Sequence, residues 1–152
     1  MMYRVGLICA CVIVAVSAFV PPMSQARQLD RKVILLSCPS DIAEPKRLCQ
    51  AMVQALAEAI PSSIIRNVAP GDEIPSRPGD VGVALVMSDV TAQGMTGRLD
   101  WQIGQGPRQL GPERWLDVMD ATGSPKIYDR FARSIVDASE GMLKAIDPAR
   151  RE

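Results

Sequence analysis

The sequence predicts an α+β domain in the order β-α-β-β-β-β-α: a mixed, twisted sheet with two helices on one face, and one disulfide. Three observations carry this. Two segments have apolar residues at helical period, one early and one late. The segments between them are short apolar runs or strict apolar/polar alternations, bounded by Gly and Pro. Two cysteines, Cys38 and Cys49, bracket the passage from the first apolar run into the first helix.

Lys32 to Ser37 is an apolar run of strand length, ended by Cys38-Pro39-Ser40. A helix follows. Pro45 suits a first turn, where its missing N–H is not needed, and Asp41 and Glu44 favour the positive end of the helix dipole. Leu48, Met52, Leu56 and Ile60 recur every four residues as one apolar face, and Pro61 stops the pattern. Ser63 to Val68 reads as a second strand, parallel to the first because a helix joins them, with a right-handed crossover. Ala69 to Asp80 holds three prolines and two glycines and reads as a stiff surface loop.

Val81 to Met87 is a third strand, and Gly94 and Gly97 mark the turn region after it. From Gly97 to Ile103 the alternation is clear. Leu99, Trp101 and Ile103 take the buried face, while Arg98, Asp100 and Gln102 take the wet one. Gly104 to Pro112 is a hairpin loop with Arg108 at its tip. Glu113 to Met119 alternates again, with Leu116 and Val118 inward and Trp115 and Asp117 outward. Pairing Leu99 with Leu116 would set Arg98 opposite Asp117 and Asp100 opposite Trp115. Ser124-Pro125 opens the last helix, whose stripe runs from Ile127 through Phe131, Ile135 and Met142 to Ile146.

Ahead of the domain, Arg4 precedes an apolar run from Val5 to Val20, then Pro21-Pro22 and a Ser24-Gln25-Ala26 site with small residues at −3 and −1. This is the layout of a cleavable secretory signal over residues 1–26, with a single domain at 27–152. The 16-residue run is shorter than the roughly 20 residues of a membrane span. Cys9 and Cys11 would leave with the signal. Cys38 and Cys49 would meet an oxidising compartment and pair, pinning the helix start to the sheet. One disulfide on an otherwise adequate core fits the bacterial periplasm better than a small, disulfide-dense extracellular module.

Charge and composition narrow the chemistry. Seventeen basic residues balance 17 acidic ones, so no long-range field recruits nucleic acid or an anionic membrane. There is no histidine, so His-based triads and imidazole metal sites are excluded. With the thiols oxidised, no zinc site of thiolates remains, and no Asp-rich calcium loop is present. Neither a Gly-x-Ser-x-Gly elbow nor a Ser-x-x-Lys pair occurs, and the glycines at 104, 106 and 111 do not match a dinucleotide fingerprint. No metal or cofactor is therefore expected.

The wet sheet face supplies the candidate site. Trp115 is the residue of interest because an outward Trp on a polar face marks a contact surface, with Arg98, Asp100, Asp117 and the loop residue Arg108 around it. These residues point to a non-enzymatic protein-interaction module of the envelope, with an envelope protein as partner. A small-molecule or glycan-binding protein using Trp115, Asp100 and Arg98 is the alternative. An Asp100/Asp117 carboxylate pair doing hydrolysis is a third, more demanding reading, because it requires a closed pocket.

Overall fold

The computed structural model describes residues 31–91, 93–117 and 126–148. The proposed signal at 1–26, Val118 and Met119 at the end of the last strand, and the Ser124-Pro125 helix start lie outside these residues.

The elements are β1 (Val33–Ser37), α1 (Pro45–Ala59), β2 (Ile64–Val68), β3 (Val81–Val90), β4 (Gly94–Ile103), β5 (Gln109–Leu110), β6 (Arg114–Asp117), α2 (Lys126–Ala138) and α3 (Glu140–Ile146). They form one mixed sheet in the order β2-β1-β3-β4-β5, with β6 also on β4. β1 is parallel to both β2 and β3. The pairs from β3 onward are antiparallel. The parallel β1-α1-β2 unit and the alternating second half are both as the sequence predicts.

One face of the sheet packs on the helices. Ile34 and Leu36 of β1, Val81, Val83 and Leu85 of β3, and Met95 and Leu99 of β4 meet Leu48, Met52 and Leu56 of α1 and Phe131, Ile135 and Met142 of α2 and α3. Side chains of this size, fully withdrawn from water, stabilise the fold by about 1.5–3 kcal/mol each before entropy is counted. α1 begins with Pro45 in its first turn, as expected, but Glu44 makes no side-chain cap and instead pairs with Arg47 at 3.0 Å. The Cys38–Cys49 disulfide joins the end of β1 to α1, with Cα atoms 5.7 Å apart.

The C-terminal helix is two helices. Ser139, fully buried, interrupts it. Its N–H donates to the carbonyls of both Ile135 and Val136, and its hydroxyl donates to Ile135 O at 2.9 Å. This back-bonding bends the chain, which a continuous apolar stripe does not reveal. Lys32 Nζ donates to Ile146 O at 2.5 Å and caps the end of α3.

The β4–β6 register also differs from the expectation. Leu116 lies opposite Met95, not Leu99, so Asp117 faces Gly94 and Trp115 faces Thr96. Residues beyond Gly104 turn back early: Gln109 already pairs with Trp101 and Leu110 with Asp100. Part of the anticipated loop is thus strand, and β6 reaches further along β4. Between the Asp100–Leu110 and Gly97–Arg114 pairs the returning strand holds one residue more than β4, a bulge at Gly111-Pro112-Glu113. The displacement from the anticipated register is four residues. An even shift exchanges no faces, so Leu116 still points to the helices and Trp115 and Asp117 still point away.

Candidate functional site

The second face of the sheet is not open as the sequence implied. The segment from Ala69 to Asp80 folds back over it as a strap, with Pro75 buried beneath. A Cβ built on Gly82 would stand 1.9 Å from the carbonyl oxygen of Glu73, so the strap rests directly on β3. Gln105 Nε2 donates to Pro75 O at 2.5 Å, and Gly104 N–H donates to Asp80 O at 2.9 Å, tying the β4–β5 turn to the strap.

Asp100 lies under this cover and is only 4% exposed. Its two oxygens face two guanidinium groups. Arg98 Nε donates to Oδ1 at 2.8 Å, and Arg108 Nη2 stands 3.6 Å from Oδ2. Arg108 Nη1 also reaches Glu73 Oε1 at 3.4 Å. Four charges from β4, the β4–β5 turn and the strap thus form one network. Arg98 does not pair with Asp117 as the expected register required. With Asp117 displaced to Gly94, the neighbour two residues along on the same face of β4 takes its place.

The network shifts proton affinities in a consistent sense. The hydrogen bond and charge of Asp100 raise the Arg98 pKa further. Partial burial pushes the Glu73 carboxyl up. Its own backbone N–H, the Gly71 N–H at 2.7 Å, the Ser37 hydroxyl and the charge of Arg108 outweigh that and hold it below its ordinary value.

Trp115, opposite Thr96 of β4, is 62% exposed. Its indole lies over Gly94, where a Cβ would come within 2.7 Å of Nε1. An aromatic covering a cross-strand glycine shields backbone while leaving its outer surface to solvent. Leu110, directly opposite Asp100 and 67% exposed, shares this face, and Ile74 of the strap is exposed at the rim of the network.

The structure therefore brings Arg98, Asp100 and Arg108 together, while Trp115, on the same face, lies over Gly94. Asp117 is set apart from Asp100. Their partners on β4, Gly94 and Asp100 itself, are six residues apart, roughly 20 Å at strand rise. That is too far for two carboxylates to share one substrate bond. The hollow among Glu73, Asp100 and Arg108 measures about 10 Å³, room for one water molecule. Glu73 is the residue the sequence did not single out. Its loop reads as solvated, and only an acid within a Pro-rich connector adjoining a glycine-bearing strand hinted at close packing.

A larger hollow of about 440 Å³ opens beside the disulfide, between α1 and the end of β2, with Lys46, Gln50 and Asn67 in its wall. Among the described residues, no group of three His, Cys, Asp or Glu side chains could hold a metal ion, and no helix is long and apolar enough to cross a membrane. Comparison with protein-family models, with curated proteins and with solved structures returns no match.

Proposed function

We propose that this chain is an exported, non-enzymatic protein-interaction module working in the periplasm, in assembly or maintenance of the envelope, and that it engages an envelope protein through the sheet face around Trp115. The observation that carries the reading is Trp115 itself: a large aromatic 62% exposed, on the sheet face that further along β4 also carries exposed Leu110 and the Arg98 and Arg108 guanidinium groups. Tryptophan and arginine beside exposed aliphatic groups are the composition of interaction hot spots. Export is supported by the Arg4 to Ala26 pattern and by the Cys38–Cys49 disulfide, which suits an oxidising compartment.

The small-molecule or glycan alternative would use Trp115, Asp100 and Arg98. Both oxygens of Asp100 already face guanidinium groups, which leaves that carboxylate little to offer a sugar hydroxyl.

In-cell crosslinking of the tagged protein, followed by mass spectrometry, tests the proposal. One dominant envelope partner is expected with the natural chain. Capture should fall strongly in Trp115→Ala while the melting temperature stays within a few degrees, because the side chain is mostly in water. Undiminished capture by a folded Trp115→Ala protein would refute this surface.

A further inference from the structure

We infer that the hollow between α1 and the end of β2 binds a small organic monocarboxylate with an apolar body and an amide, the chemistry of an N-acylated apolar amino acid. The site is separate from the Trp115 face and does not rest on the interaction reading. β1 and β3 stand between β2 and β4 in the sheet.

The hollow follows from how the first βαβ unit is built. Leu48, Met52 and Leu56 turn to the core, so Lys46, Gln50 and Val53, at i, i+4 and i+7, share a neighbouring flank of α1. β2 is five residues long and stops at Val68. Asn67, level with Leu36 of β1, points to the helix side and with Val68 forms the wall opposite that flank. The Cys38–Cys49 disulfide closes a further side, and Pro39 and Pro45 stiffen the connection between the two cysteines. A space of about 440 Å³ is thus held open in advance, within the range of small-molecule sites. The walls and the chain adjoining them all fall within the described residues 31–91.

Val53, Val68, the two prolines and the disulfide supply apolar surface, while Lys46, Gln50 and Asn67 supply one cation and two amides. Among the described residues, no ion pair or hydrogen bond engages these three side chains. Lys46 is the one charged group of the wall. Asp41 and Glu44 lie outside it, and Glu44 is held by Arg47 at 3.0 Å. A carboxylate would therefore gain Lys46 as its counter-charge. The ligand's amide would exchange hydrogen bonds with Gln50 and Asn67, and its apolar body would cover the valines. An ammonium group would meet no acid in the wall and would be repelled by Lys46, so a free amino acid fits less well than its acylated form.

The test is an NMR titration of the purified, disulfide-bonded protein with N-acetyl-leucine, leucine and N-acetyl-leucinamide. Leucine adds the ammonium group, and the leucinamide removes the carboxylate. N-acetyl-leucine is expected to saturate with a dissociation constant on the order of 1 mM or below, and to weaken as salt rises. It should shift the backbone amides around Cys49, Val53 and Asn67. The other two compounds should bind on the order of tenfold more weakly or not at all. Lys46→Ala, at an exposed position, should weaken N-acetyl-leucine about five- to tenfold, and Lys46→Arg should keep most of the affinity. Gln50→Trp, also exposed, should fill the hollow and abolish binding. Trp115→Ala should bind as the natural chain does, which separates this site from the partner surface. Shifts that do not saturate, shifts centred elsewhere, equal binding of the three compounds, or binding indifferent to Lys46→Ala and Gln50→Trp would overturn the inference.

Discussion

Gly82 of β3 and Glu73 of the strap approach so closely that a single methyl group at position 82 would overlap the Glu73 carbonyl, 1.9 Å away. The obstacle is backbone, which cannot rotate aside as a side chain can. Gly82→Ala should therefore lift the strap or destabilise the protein by about 2 kcal/mol, in the range of overpacked cores. Urea unfolding measures the cost, and hydrogen exchange at residues 71–80 shows whether the strap has come away. A stability equal to that of the natural chain, with the strap still protected, would mean that β3 and the strap do not touch as described.

Arg98 and Arg47 test how burial decides the worth of an ion pair. Arg98 serves a carboxylate that is 4% exposed, whereas Arg47 serves Glu44 at the surface. Removing Arg98 leaves Asp100 in its cover with only the longer contact to Arg108. The Arg98→Ala cost should clearly exceed that of Arg47→Ala, because it strips a buried carboxylate of its nearest hydrogen-bond donor. Arg47→Ala should cost under about 0.5 kcal/mol. Paired denaturation curves read both, and equal losses would contradict the assignment of Asp100 as the anchored charge.

The depressed Glu73 carboxyl makes part of the stability depend on pH. A carboxylate held lower in the folded chain than in the unfolded one contributes fully above its unfolded value, about 4.3, and loses that contribution as pH falls through its folded value. Glu73→Gln should cost about 1 kcal/mol near pH 7, through lost hydrogen bonds from Gly71 and Ser37 and the lost charge facing Arg108. The gap between the two proteins should narrow as pH falls below the unfolded value, about 4.3, and on through the lower folded one. Thermal midpoints measured from pH 7 down to 3 check this, and a gap that stays constant would exclude Glu73 as the titrating group.

The disulfide closes a short loop, so its effect should be moderate. Cys38→Ser with Cys49→Ser, or reduction by dithiothreitol, should lower stability by about 2–3 kcal/mol, the chain-entropy value for a loop of this size. The loss should fall on the junction of β1 and α1. The core residues Leu48 and Met52 remain packed, so the reduced protein should still fold cooperatively at room temperature. Loss of all tertiary structure on reduction would show that the apolar core cannot stand without the crosslink.

Much of the architecture was legible in local pattern. The four-residue spacing of Leu48, Met52, Leu56 and Ile60, the alternation from Arg98 to Gln102 and the Cys38/Cys49 pair each specify their element by neighbours in the chain. Side-chain parity is also local. Trp115 and Asp117 were placed on the correct face even though their register was displaced by four residues. What the chain alone could not decide depends on groups distant in sequence. The return of Gln109 and Leu110 onto β4 follows from a turn fastened to Asp80 and Pro75. The burial of Asp100 follows from a strap that polarity alone reads as solvated, and that lies flat because Gly82 has no side chain to hold it off. Period and parity are written in adjacent residues. Register and the cover over a sheet are set by close approach between segments tens of residues apart, and only the folded chain brings them together.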